Sequence, residues 1–279
     1  MRLLVLFATF TALASAQWLN FRVPGVPRLK DGKPNFSAPA PKTPDGKPDL
    51  SGVWMHEYQT HEELVKLFPN ADAEDKVSVP GMEADTISKW GRSALLSFRP
   101  DENAVMKPAA VEARRRAREA RDPKALCIGS AGIPLASFLS EPTKIIQSPK
   151  LTVIFHESDE SHRQIYTDGR ALPKEFGFPA YMGYSVGHWE RDTFIVETAG
   201  FNEKTPIDAS GHPHTENMRI TERYRRRDFG HLDVEITIND PEFYTKPIPI
   251  KTTFNLLADG DIFENFCNEN ERDREHMQK

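Results

Sequence analysis

From Thr143 onward, apolar and polar residues alternate with a period of two, the mark of strands that bury one face. The alternation predicts strands over Lys144–Ser148, Leu151–Glu157, His162–Thr167, Tyr184–Glu190, Thr193–Ala199, Asn217–Arg225, Leu232–Ile238, Ile248–Leu256 and Ile262–Cys267, separated by Pro, Gly, Asp and Asn. Little helix lies between them, so neighbouring strands are expected to run antiparallel as a meander. A long meander must cover its edges. With the apolar run Gly52-Val53-Trp54 added, about ten strands are on hand, enough to close a small barrel around a cavity. The expected fold is therefore mainly β, a meander closing into a barrel that occupies residues 51–279.

Two stretches break that pattern. Residues 17–50 are rich in proline, and Asp31-Gly32-Lys33-Pro34 recurs as Asp45-Gly46-Lys47-Pro48, which predicts an extended arm with turns. A helical excursion falls at about 60–125, with its clearest helix over Pro108–Arg121, where proline suits the first turn. That helix carries Arg114, Arg115, Arg116, Arg118 and Arg121. A solvated face accounts for such a run better than a nucleic-acid or lipid contact.

The charge balance agrees: 36 Lys+Arg against 41 Asp+Glu give −5 and no global basic surface, so no nucleic-acid partner is expected. At the start of the chain, Arg2, the apolar run Leu3–Leu13 and Ala14-Ser15-Ala16 read as a signal peptide over residues 1–16, with Gln17 as the mature N-terminus. No stretch reaches the ~20 apolar residues of a membrane span. The expected location is secreted or periplasmic. Such a compartment makes Cys127 and Cys267 candidates for a disulfide; two separately buried thiols are the alternative.

Several segments carry a resemblance. Pro48-Asp49-Leu50-Ser51-Gly52-Val53-Trp54, Asp168-Gly169-Arg170, Gly183-Tyr184-Ser185-Val186-Gly187-His188-Trp189-Glu190 with Asp192-Thr193, Thr221-Glu222-Arg223-Tyr224, Asp228-Phe229-Gly230-His231 and Cys267-Asn268-Glu269-Asn270 resemble a family of secreted bacterial proteins of unknown function, over most of the chain from residue 48. In that family glycine usually follows the His-Trp-Glu triplet; Arg191 stands there in this chain, which implies a less strained turn or an arginine at positive φ. Gly52-x-Trp54 ahead of a meander is similar to the lipocalin-type (calycin) barrel. That likeness implies a tryptophan plugging a closed end.

Four constellations bear on chemistry. Gly183-Tyr184-Ser185-Val186-Gly187 fits the G-x-S-x-G elbow of serine hydrolases, but strand rather than helix follows it, so close packing of small residues is the preferred reading. His212, His214 and Glu216 alternate along an extended segment, with His231 on the next strand, and this set would suit zinc or iron with an open position. Parity places Glu222 on the inner face of its strand with Met218, Ile220 and Tyr224; Glu264 interrupts an apolar face in the same way, and Tyr184, Val186, His188 and Glu190 align on a third strand. Carboxylates among apolar neighbours are candidates for proton transfer, or else they pair with inward arginines such as Arg163 or Arg170. The basic cluster Arg225-Arg226-Arg227 is more often solvated or locally paired than a binding site.

Together these predict a barrel holding a small, partly apolar molecule, with no cofactor required. In a lyase, hydratase or isomerase, Glu222, Glu264 and His188 would serve as acid and base and Tyr184 would hold the ligand. The alternatives are a non-catalytic binding protein with the same cavity, and a metal-dependent enzyme built on the His212 to Glu216 loop. Oligomeric state is not encoded in any feature of the sequence.

Overall fold

The computed structural model describes residues 22–68, 88–119, 132–139 and 141–264. The expected signal peptide, Cys127 and Cys267 lie outside the described residues. Nine strands close a barrel in chain order: β1 (Gly52–His56), β2 (Thr143–Gln147), β3 (Leu151–His156), β4 (His162–Tyr166), β5 (Tyr184–Glu190), β6 (Thr193–Ala199), β7 (Arg219–Arg226), β8 (His231–Asn239) and β9 (Ile248–Leu256). β9 pairs back onto β1 through Trp54↔Leu256 and His56↔Phe254, which closes the sheet on itself.

Two expectations need correction. No strand forms over residues 261–264, and the rest of the predicted Ile262–Cys267 strand lies outside the described residues. Nor is the meander wholly antiparallel, because β4 and β5 are parallel and share only the pairs Ile165↔Ser185 and Tyr166↔Val186. The 17-residue connection 167–183 carries the chain back along the barrel before β5 starts. Parallel neighbours require such a crossover.

Each strand turns one face inward. β7 and β8 bury alternate positions along their length, and Ile220↔Ile238 and Tyr224↔Val234 meet across the core. One end is plugged by Trp54, which is fully buried; its Nε1 donates to the Leu50 carbonyl oxygen at 2.9 Å. The Arg226 guanidinium lies 4.9 Å from the Trp54 ring and donates to the carbonyls of Asp49, Ser51, Asp228 and Phe229. Burial pulls Arg226 down to about 10, which still leaves it charged at neutral pH. Gly52 must be glycine: its φ is +150°, and a Cβ there would sit 2.6 Å from Leu256 Cδ1.

The described part of the proline-rich arm packs on this plugged end. Its repeated phrase becomes a repeated turn: Leu29 N–H bonds Lys33 O and Gly32 N–H bonds Leu29 O, and Thr43, Lys47 and Gly46 reproduce both bonds. Phe229 N–H and Gly230 N–H then reach Ala38 O and Phe36 O, and Arg28 pairs with Asp259. The opposite end is covered by the insertion between β1 and β2, which holds α1 (His61–Leu67), α2 (Lys89–Arg92) and α3 (Pro108–Glu119). Phe138 enters the barrel edge-on to Phe254 at 6.1 Å and to His56 at 6.5 Å.

Candidate functional site

Inside the barrel, β4 contributes Arg163, which is 3 % exposed. Its Nη1 and Nη2 grip both oxygens of Glu222 on β7, while Nε donates to Ser185 Oγ and Nη2 to Thr198 Oγ1. Tyr224 donates its hydroxyl to Glu222 Oε1 at 2.7 Å. The inward carboxylate foreseen at Glu222 therefore takes the paired form. Burial works against the charge on Arg163, but the Glu222 carboxylate more than offsets it and holds the guanidinium above its usual value. Burial together with that carboxylate raises Tyr224 well above the ordinary phenol range. A bidentate pair neutralises its own charge, and three donors from Arg163 and Tyr224 already engage the two Glu222 oxygens.

The companions expected around Glu222 face elsewhere. Glu264 is exposed beyond the end of β9, and His188 lies outside the barrel, 3.6 Å from Glu190. Tyr184, Val186, His188 and Glu190 do share a face, but it is the outer one. Ser185, Gly187 and Trp189 take the inner face, where Ser185 and Gly187 meet a need for small groups: a Cβ on Gly187 would lie 2.6 Å from Phe194 Cζ. Ser185 of the G-x-S-x-G run sits buried as the second residue of β5, bonded to Arg163 and Thr198, with strand rather than helix after it. Arg191 holds the turn after β5 at φ +56°, the positive-φ alternative foreseen for it.

The four residues considered as metal ligands are likewise kept apart. His212 is buried with Nδ1 on Asp208, and His214 gives Nδ1–H to the Thr215 carbonyl oxygen. Glu216 points to solvent. His231 pairs with Asp228 beyond the far end of β7, whose eight residues span roughly 26 Å. Among the described residues no three His, Cys, Asp or Glu side chains stand close enough to hold a metal.

Two buried imidazoles, His56 and His214, should show in the stability of the protein. Burial lowers the pKa of both His56 and His214 in the folded chain. Below ~6.5 the unfolded chain binds protons that the folded chain refuses, so stability is full above that value and falls as pH drops through it. The limiting slope is about 1.4 kcal/mol per pH unit for each histidine. Urea denaturation between pH 7.5 and 5.5 should show this loss, and a flat profile would contradict the burial of these rings.

Where the barrel wall is least complete, a cleft opens. It lies between the outer face of β4 and the segment 180–184, has a volume of about 320 Å³, and is lined by His162, Gln164, Tyr166, Tyr181, Met182 and Tyr184. Tyr166 and Tyr184 stack with centroids 5.3 Å apart, and Arg170 lies 3.9 Å from the Tyr166 ring and donates to Tyr184 Oη. Tyr184 is thus the one expected site residue that reaches the cleft. Among the described residues, no hydrogen bond engages the side chains of His162, Gln164 or Tyr181. A larger hollow of about 520 Å³ on the outside of β7–β9 is lined by charges that pair with one another, among them Arg227–Asp233 and Lys251–Glu235. Aromatic walls with a few unengaged polar groups make the seam cleft the better candidate.

Sequence reasoning missed the cleft because it assumed antiparallel neighbours throughout. The available signals were the long 167–183 connection and the outward row His162, Gln164, Tyr166. The chain matches no family model, no curated protein and no solved structure. No helix among the described residues is long and apolar enough to cross a membrane.

Proposed function

We propose that this is an exported binding protein whose cleft at the β4–β5 seam holds a small, partly apolar molecule without turning it over. The observation that carries the reading is the wall of Tyr166, Tyr181, Met182 and Tyr184 beside the unengaged polar ends of His162 and Gln164. Its volume lies at the lower end of the range for small-molecule sites. Binding is preferred to acid–base turnover because Glu264 and His188 lie outside the barrel while Glu222 lies within it, held in a bidentate pair by Arg163 and bonded by Tyr224. The apolar leader of the sequence supports export.

A thermal-shift screen with small aromatic fragments tests the reading. Fragments that raise the Tm of the parent should bind Tyr181→Ala at least tenfold more weakly, about 1.4 kcal/mol, and bind Lys251→Ala unchanged. Loss on Lys251→Ala with Tyr181→Ala unaffected would move the site to the outer groove of β7–β9.

A further inference from the structure

We infer that the cleft recognises an extended peptide, which it takes up as a short additional strand; this rests on the cleft being the binding site. β4 pairs with β3 over five residues but with β5 over only two. Over His162–Gln164, β4 therefore has a strand on one side only, within a barrel that otherwise closes. Strand main chain directs alternate N–H and C=O groups to each side, so part of this row faces the cleft with no ladder beside it. The Arg163 side chain turns inward and is consumed by Glu222, Ser185 and Thr198, so what Arg163 offers the cleft is its main chain.

The opposite wall is a turn rather than a second strand edge, since Gly183 N–H closes back on Ala180 O. Ala180 N–H bonds Gly200 O at 2.9 Å, Asn202 N–H bonds Ala180 O at 3.0 Å, and Ala180 bridges Phe201 in parallel. Those bonds fix the turn against β6, so this wall meets the cleft with the side chains of Tyr181 and Met182. A ligand lying along the β4 edge gains most if it carries donors and acceptors in an alternating row, and a peptide backbone is that row. Three residues of β4 at roughly 3.3 Å each give a contact of about 10 Å, the length of three or four peptide residues. Met182 and Tyr181 supply an apolar seat for one side chain. The loop leading into this wall is pinned by Phe176 on Gly200, where a Cβ would lie 2.3 Å from the Phe176 ring.

The test uses the mature protein labelled with nitrogen-15 and three probes: a pool of blocked tetrapeptides randomised at the two central positions, the same pool N-methylated at alternate amides, and indole. The peptide pool should shift the amide signals of 162–164 and 180–183, and N-methylation should weaken its binding at least tenfold. Equal binding of the two pools would overturn the inference. If indole moves these signals and the peptides do not, the peptide is wrong and the cleft stands. If no probe moves them, the cleft itself fails with it.

Discussion

Arg163→Met is expected to cost about 3–5 kcal/mol of unfolding free energy, because it strands the Glu222 carboxylate in the barrel with a single hydroxyl as partner. The expectation follows from asymmetry. An intact buried pair adds little net stability, since the desolvation of two ions consumes most of their attraction, whereas half a pair retains the desolvation and loses the attraction. The double variant Arg163→Met/Glu222→Leu should therefore recover to within about 2 kcal/mol of the parent, with Ser185 and Thr198 still bonded to each other at 2.9 Å. Guanidinium denaturation of the three proteins decides the matter. If the double variant is no more stable than the single one, the hydroxyl network rather than the ion pair holds this part of the barrel.

The second large effect is expected at the plugged end. Trp54→Ala removes a fully buried indole and should lower stability by about 3–5 kcal/mol. The loss extends beyond the cavity, because the ring also gives Arg226 its apolar face and holds Leu50 through Nε1. Trp54→Phe keeps most of the packing and loses the Nε1 bond, so its cost should be well under half that of alanine, by the same denaturation measurement. A cost for Trp54→Ala below about 1 kcal/mol would mean that the end is loosely packed.

Much of this architecture was legible from alternation alone. The predicted bounds of β5, β6 and β9 coincide with the observed ones, since a period of two bounded by turn residues is a local property. The inward parity of Glu222 could also be read, because its face is otherwise apolar. Two things could not be read. The facing of β5 depends on what the barrel interior has room for: Gly187 and Ser185 turn in because Phe194 and Arg163 fill the space above them, a fact about other strands. The seam cleft depends on β5 returning parallel to β4, and nothing in residues 162–166 or 184–190 specifies the direction of the neighbour. The arm shows the opposite case, where two copies of Asp-Gly-Lys-Pro with glycine φ of +85° and +81° make two equivalent turns because the turn chemistry is wholly local.

The claim that this barrel binds its ligand in the wall rather than in its interior is tested most directly by a crystallographic fragment screen of the protein. The account predicts fragment density between the outer face of β4 and residues 180–184, against Tyr181 and Met182. Density gathered instead in the barrel interior beside Arg163 and Glu222, or in the outer groove of β7–β9, with the seam cleft empty, would contradict it.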